Sequence, residues 1–317
     1  MNQNSSMQQT QKEFQVDLLD FAILIWNKKL LIFSVTSSFA IFSVIFSLML
    51  PNIYSSNALL APTSSDDSLS SKLGAYSSLA SFAGVSLPTE NGSQGEEAVE
   101  RMKSFNFFSK YIFPNIKLEN LMAVKAWDSS SDKIYYKRKM FVEDSTTWVR
   151  KVKFPKKTIP SEQEAFEAYQ KIFSIHVDKD TSFVKITIKH KSPQITKKWL
   201  DLIIFNINES MRSEDIRVAE ASIQFLNDSK ELTQIQSVKE VIADLLENEI
   251  QTLMLASANK NYIFKVIDSP IIPEKKSGPN RAIICVLITI SGLIFSILLV
   301  IFNTYRKSQL LLKKQSY

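Results

Sequence analysis

Two uncharged apolar segments near the ends of the chain restrict its folding more than any other feature. They cover residues 30–50 and 282–302, and each is 21 residues long. A helix of about 20 apolar residues crosses the hydrocarbon core of a bilayer. Both segments are therefore predicted to be transmembrane helices, with both chain ends on one side of a membrane and residues 51–280 on the other.

The first apolar segment lacks the features of a cleaved signal peptide. It is longer than a typical apolar signal core, 29 residues precede it, and no small-residue cleavage site follows it. We therefore expect it to remain in the protein as an anchor.

Basic residues near the two segments predict the orientation. Seven Lys and Arg residues lie in residues 1–29 and 303–317. On the domain side, none lies in residues 51–71, just after the first segment, and four lie in residues 265–281, just before the second. Lys and Arg concentrate in the cytoplasmic flanks of membrane spans. We therefore expect residues 1–29 to form a cytoplasmic tail, residues 303–317 to form a cytoplasmic basic tail, and residues 51–280 to lie outside the cytoplasm.

The distribution of charge argues against a nucleic-acid partner. The formal net charge is +6, and residues 281–317 hold five basic residues and no acidic residue. The excess positive charge therefore flanks a membrane segment, where anionic lipid attracts it. The only cysteine, Cys285, lies inside the second segment, so no intrachain disulfide is expected.

The domain between the segments shows both strand and helix patterns, which predicts an α+β fold. Strands are predicted at 53–62, 173–178, 182–190 and 261–268. In the third of these, apolar and polar residues alternate as in a half-buried strand. Helices are predicted at 95–113 and 161–173, and the second begins with the capping box of Ser161 and Glu164. Residues 114–160 show no clear pattern.

Residues 193–260 are predicted to form very long helical material. Residues 194–269 contain neither Gly nor Pro, and apolar residues recur at spacings of three, four and seven. One interpretation is a single projecting helix about 100 Å long, and the other is two antiparallel helices joined at 227–234. An exposed apolar stripe needs a cover, so contacts between subunits or between paired helices are predicted for Trp199, Ile203, Ile207 and Met211.

A basic and aromatic stretch at 133–157 has two interpretations. It is a solvated face whose aromatic residues point into the core, or it is a surface for an acidic glycan or a neighbouring subunit. The residues that would form such a surface are Lys137, Arg138, Lys139, Arg150 and Lys151.

The sequence contains no catalytic pattern, so neither an enzyme nor a bound cofactor is expected. The six glycines form no GxGxxG motif and no phosphate-binding loop, and no GxSxG motif is present. His176 and His190 lie in neighbouring predicted strands without a cysteine, so we interpret them as satisfied sheet residues rather than metal ligands.

Four blocks of the sequence resemble the polysaccharide co-polymerase family, the Wzz-type chain length determinants. They are an acidic and apolar lead into the first span (16–32), a small-residue segment (71–85), and a strand, Pro turn and long helix (182–208). The fourth and most specific block is the Pro-rich motif that overlaps the second span (261–302). The residues of this motif are Pro270, Pro273, Gly278, Pro279, Arg281 and Gly292.

The resemblance implies a non-enzymatic protein of the bacterial inner membrane with a periplasmic α/β base and a long helical protrusion. It implies homo-oligomeric rings that act with a polysaccharide polymerase on lipid-linked glycan. Such rings would set the modal length of O-antigen or a related glycan. A fused kinase is not expected, because the 15-residue C-terminal tail has no phosphate-binding loop.

Two other functions compete with this hypothesis. One is a capsule or exopolysaccharide export subunit of the same superfamily. The other is a two-span sensor with a ligand domain outside the cytoplasm, against which the short C-terminal tail argues.

Overall fold

The computed structural model describes residues 26–63 and 94–315. The chain divides into a span unit, residues 1–51 and 278–317, and a domain, residues 52–277. The small-residue segment at 71–85 lies outside the described residues, as does most of the N-terminal tail.

The span unit contains two helices of membrane-spanning length. The first span helix is Lys29–Met49, and the second span helix is Arg281–Gln315, of which Arg281–Thr304 has the length and composition of a span. The helices are antiparallel neighbours: Cys285 Sγ lies 3.8 Å from the carbonyl oxygen of Ser43, and Arg281 Nη2 lies 3.4 Å from that of Leu50.

The described part of the domain contains eight strands and six α-helices, with a short π-helix and a 3-10 turn at residues 108–115. The strands are β1 Tyr54–Pro62, β2 Val124–Asp128, β3 Lys133–Tyr136, β4 Phe141–Val142, β5 Thr147–Trp148, β6 Phe173–Val177, β7 Val184–His190 and β8 Phe264–Asp268. The helices are α1 Gln94–Lys103, α2 Phe105–Phe107, α3 Leu118–Met122, α4 Glu162–Ile172, the long helix α5 Pro193–Leu232 and the return helix α6 Gln236–Ala258.

The central sheet has four antiparallel strands in the order β6-β7-β1-β8. Tyr54 pairs with His190 at one end of the sheet, and Leu60 pairs with Val184 toward the other. Burial alternates along β7 between apolar residues that face the core and lysines that face water. This confirms the strand pattern predicted for 182–190.

Both connections to the spans leave the domain at the end of the sheet where β1 begins. The amide of Ser277 donates to the carbonyl oxygen of Ile53 at 2.8 Å. At the same end, the rings of Tyr54 and Trp127 make an edge contact with centroids 5.3 Å apart. The β2–β3 hairpin therefore lies at this end of the domain.

The predicted helix at 95–113 is interrupted at Ser104. The Ser104 side chain accepts a hydrogen bond from the amide of Phe107 and begins a new helical turn. Phe107 and Phe108 are buried in the core after this break. After the interruption, the ring of Phe108 packs against those of Phe166 and Tyr169 on α4.

The helical region at 193–260 is two antiparallel helices, as the second interpretation predicted, and the single 100 Å helix is wrong. The long helix ends at Leu232 and the return helix begins at Gln236. Forty residues give the long helix a length of about 60 Å. Its buried residues other than Ala219 all lie between Pro193 and Met211. The N-terminal half of the long helix thus covers β1 and β7, and the C-terminal half packs on the return helix.

Candidate functional surfaces

The stripe predicted for contacts between subunits or paired helices is instead part of the core of a single chain. Trp199, Ile203, Ile207 and Met211 are all buried, with exposures of 4% or less. They belong to the cluster that joins the long helix to the sheet. Other residues would have to provide any contact between subunits.

A different apolar stripe is exposed on the helix pair, and we call it face A. It contains Val218, Phe225 and Leu232 on the long helix and Val238, Val241, Leu245 and Leu255 on the return helix. The first three are seven residues apart, so they lie along one line of the helix. Phe225 is 69% exposed and Leu232 is 85% exposed.

The two halves of face A lie on the same side of the helix pair. Viewed from the N-terminus of either helix, the exposed residues of face A lie counterclockwise from the residues buried against the other helix. Because the two helices face each other and run in opposite directions, these positions lie on the same side of the pair. The sequence contained this signal in the seven-residue spacing of Val218 and Phe225, but Met211, one repeat earlier, is buried.

The opposite side of the helix pair is also apolar in part, and we call it face B. Ile250 and Met254 are 44% and 64% exposed on the return helix. Ile216 and Ile223 are half-buried on the corresponding side of the long helix. The helix pair therefore presents two different apolar faces.

Asn208 joins the long helix to the beginning of β8. Its Oδ1 accepts hydrogen bonds from the amides of Ile263 and Phe264, both at 2.9 Å, and its Nδ2 donates to the carbonyl oxygen of Ile204. Three of the four hydrogen-bonding positions of the side chain are used in a buried site. Nothing in the sequence distinguishes Asn208 from the neighbouring Asn206.

Two helical turns further, Tyr262 and Asp215 make a second link between the same elements. The Tyr262 hydroxyl donates to Asp215 Oδ2 at 2.7 Å. Burial, together with this hydrogen bond, raises the pKa of Tyr262, and burial raises the pKa of Asp215. The pair fixes the position from which the long helix leaves the core.

The domain part of the Pro-rich motif is an extended segment attached to β1. Ser56 Oγ donates to the carbonyl oxygen of Ile271 at 2.7 Å. Pro270 is buried and lines a groove beside Phe205 of the long helix, whereas Pro273 is half-buried. Together with the pairing of Ser277 and Ile53, these contacts hold the segment along the sheet.

Gly292 lies where the two span helices come closest. A Cβ atom at this position would be 2.5 Å from Cβ of Phe39, a distance that side chains do not tolerate. Ser43 and Ser296, each at most 1% exposed, are also buried in the span unit. Small residues allow close approach of membrane helices. Gly278, by contrast, has open space around it, so its lack of a side chain is not required by packing.

The basic stretch does not form one continuous surface. Arg150 is turned inward, since its guanidinium pairs with the Glu164 carboxylate and donates to the carbonyl oxygens of Lys157 and Thr158. Lys137, Arg138, Lys139 and Lys151 are exposed. The aromatic residues of the stretch divide as well: Tyr136, Phe141 and Trp148 contact one another, and Phe154 is 97% exposed.

His190 is a satisfied sheet residue, as the sequence predicted. Its Nδ1 accepts from the amide of Ser192 at 3.0 Å, so Nε2 carries the proton and donates to the carbonyl oxygen of Asn120 at 2.9 Å. Burial lowers the pKa of His190 to about 4. Burial also lowers the pKa of Lys191, whose ammonium donates to the carbonyl oxygen of Val124.

Among residues 26–63 and 94–315, no group of three His, Cys, Asp or Glu side chains is arranged to hold a metal ion. The polar side chains of this part of the chain connect elements of the fold. What the geometry offers to partners is apolar helix faces and exposed cations.

A family model described as "Chain length determinant protein", Wzz, matches residues 15–112. This range contains the first span helix, β1 and the helical segment up to Ile112. The match covers about a third of the chain.

Two solved structures resemble the chain. A full-length bacterial polysaccharide co-polymerase is 10% identical, covers 92% of this chain over 99% of its own length, and gives a TM-score of 0.40. A fragment of WzzB, a polysaccharide co-polymerase from Salmonella Typhimurium, is 10% identical, covers 72% of this chain over its whole length, and gives a TM-score of 0.29. Because these TM-scores are low, the description of the fold given above does not depend on either structure. No curated protein matches the chain.

Proposed function

We propose that this protein is a Wzz-type chain length determinant that sets the modal length of lipopolysaccharide O-antigen or a related surface glycan. It would do so together with the polymerase that joins lipid-linked repeat units. The match of residues 15–112 to the chain length determinant family carries this proposal. The architecture supports it, since two candidate spans flank a domain whose helix pair offers faces for partners.

The protein acts in this proposal as a closed ring of identical subunits. A ring needs two different, complementary faces on each subunit, because the contacts are head-to-tail. Faces A and B of the helix pair meet this requirement. Face A alone exposes seven large apolar side chains, and contiguous apolar patches of this kind mark interaction sites in soluble domains.

We place the protein in the inner membrane with the domain in the periplasm and both ends in the cytoplasm. The basic residues that flank the spans support this orientation. Alkaline phosphatase, which is active only in the periplasm, should be active when fused after Ser161 and inactive when fused after Tyr317. The reverse pattern contradicts the proposed topology.

The Pro-rich motif and the exposed cations have roles in the same proposal. Proline fixes φ and donates no amide hydrogen bond, so Pro270, Pro273 and Pro279 would stiffen the chain between the domain and the second span. Lys137, Arg138 and Lys139 would contact an acidic glycan or a neighbouring subunit.

A gel of surface polysaccharide from a deletion strain tests the proposal. A length regulator is not needed to make or export the polymer, so the deletion strain should still display polysaccharide, but without a modal cluster of lengths. Expression of the wild-type chain should restore the cluster. Loss of all surface polymer would instead indicate an export subunit, and an unchanged ladder would contradict length control.

A further inference from the structure

Residues 149–160 form a loop between β5 and α4 with an unusual surface. The loop contains five basic residues and no acidic residue. Phe154, at its centre, is 97% exposed, and Ile159 and Val149 are 62% and 42% exposed. Four lysines flank Phe154 in the sequence: Lys151, Lys153, Lys156 and Lys157, all of them exposed.

The fifth basic residue, Arg150, holds this loop in shape. Its Nε donates to the carbonyl oxygen of Thr158 at 2.8 Å and its Nη2 to that of Lys157 at 2.6 Å. Its guanidinium also pairs with both carboxylate oxygens of Glu164, and both side chains are largely buried. Planar, two-point Arg–carboxylate pairs fix geometry as well as charge.

The tip of the loop is a turn closed within this frame. The amide of Lys156 donates to the carbonyl oxygen of Lys153 at 3.0 Å, which brings the lysines together on either side of Phe154. Glu164 also accepts from the amide of Ser161 and so ties the frame to the beginning of α4. The loop therefore presents a preformed apolar tip surrounded by cations.

A partner surface that binds this tip must offer negative charge for the lysines and, just beneath it, an apolar layer for Phe154. An anionic bilayer does so, because lysines reach lipid phosphates while an aromatic ring enters the boundary between headgroups and acyl chains. A dissolved acidic glycan offers charge but no apolar phase for Phe154 and Ile159. The spans also tether the domain to a bilayer, since the domain begins at Asn52, directly after Pro51 of the span unit.

We infer that the loop at 149–160 docks on the anionic surface of the bilayer in which this chain is anchored. Its lysines bind the headgroup phosphates, and Phe154 inserts at the interface. This contact would restrict the motion of the domain relative to the membrane and does not depend on the proposed role in length control. The effective concentration of lipid at the loop is high, because the spans tether the domain to the bilayer.

A spin label at position 154 tests the inference in the full-length protein. Cys285 is the only cysteine, so Phe154→Cys in a Cys285→Ser background gives a single labelling site. The labelled protein is placed in nanodiscs of phosphatidylcholine alone or with an equal amount of phosphatidylglycerol. Its accessibility to a water-soluble nickel chelate is then compared with that of a label at the exposed turn residue Ser145.

The label at 154 should lose nickel accessibility in the anionic nanodiscs by about threefold or more, since each lysine near an anionic surface strengthens attraction about fivefold. The label at 145 should be equally accessible in both. Equal accessibility at 154 in both lipid compositions overturns the inference.

Charge variants separate this contact from general attraction of a basic protein. Substitution of Gln for Lys151, Lys153, Lys156 and Lys157 should abolish the lipid-dependent protection. The same substitution at the exposed lysines Lys171, Lys179, Lys185 and Lys230 removes the same charge elsewhere and should preserve it. If polygalacturonate, an acidic glycan, protects position 154 in phosphatidylcholine nanodiscs and phosphatidylglycerol does not, the loop is a glycan site and the inference is wrong.

Discussion

At the scale of single residues, buried polar side chains fix the position of the long helix. His190 holds the chain at its beginning, and Asn208 and Asp215 hold it where it leaves the core. The sequence predicted a satisfied His190 from its place in a strand. It did not predict the role of Asn208, since the amides that donate hydrogen bonds to Asn208 belong to Ile263 and Phe264, which are 55 and 56 positions later in the chain.

Replacing Asn208 by Ala should destabilise the domain by about 2–4 kcal/mol. Two buried amides, of Ile263 and Phe264, would lose their acceptor, and each unsatisfied donor costs about 1–3 kcal/mol. Urea unfolding of the solubilised protein measures the change. Asn206→Ala is the control, because the Asn206 amide donates only to Leu202 in its own helix. Equal effects of the two variants would contradict the assigned role.

The domain should lose stability as the pH falls from about 6.5 to about 4. An unfolded His190 binds a proton near pH 6.5, whereas burial lowers the pKa in the folded domain to about 4. The unfolded state therefore binds more protons in this window, which removes about 3 kcal/mol of stability at its lower end. Unfolding of His190→Gln against pH should show a smaller slope. His176→Gln alters an exposed histidine and should retain the wild-type slope; a wild-type slope in His190→Gln would refute the assignment.

Gly292→Leu should separate the two span helices, because its side chain would occupy the position of Phe39. The yield of an oxidative crosslink between Cys285 and Ser43→Cys reports their contact, since Cys285 Sγ lies 3.8 Å from the Ser43 backbone. In Gly292→Leu, the crosslink yield should fall well below that of the same cysteine pair in a protein that retains Gly292. Ser291→Leu adds the same side chain at an exposed neighbouring position and should leave the yield unchanged. An unchanged yield in Gly292→Leu would rule out the close contact.

At the scale of elements, local signals predicted what local interactions build. The capping box of Ser161 and Glu164 and the alternation in β7 are present as predicted. The break after Leu232 has no Gly or Pro to mark it, and Thr233 simply adopts an extended conformation. Periodicity located an apolar stripe on the long helix, but only the sheet determines which part of the stripe is buried.

Phe225→Asp with Leu245→Asp should dissociate the proposed ring without unfolding the subunit. Both side chains are exposed in the single chain, at 69% and 46%, so their loss leaves the core intact. A charge on face A would oppose its burial against another subunit. Mass photometry of the purified protein should show smaller assemblies. Gln163→Asp with Gln170→Asp adds the same charge at exposed positions of α4, outside both faces of the helix pair, and should retain the wild-type mass; a wild-type mass in the face A variant would exclude this contact.

At the scale of the whole molecule, the sequence predicted two spans around an α+β domain, and the structure has a helix of membrane-spanning length and composition before and after such a domain in the chain. Residues 114–160 could not be predicted, because their strands are only two to five residues long. Such strands have little pattern of their own and depend on ring contacts such as those of Phe141 with Tyr136 and Trp148. The exposed tip at Phe154 depends in turn on Arg150 and Glu164, which are 14 residues apart.

The length distribution of surface polysaccharide tests most directly whether this protein controls length as an assembly. A deletion strain is complemented with the wild-type chain, with the Phe225→Asp and Leu245→Asp variant, or with the Gln163→Asp and Gln170→Asp control, at equal amounts in the membrane. The wild type and the control should give a modal cluster of lengths, and the face A variant should give the unregulated ladder of the deletion strain. A modal cluster from a face A variant that is monomeric by mass would contradict the account.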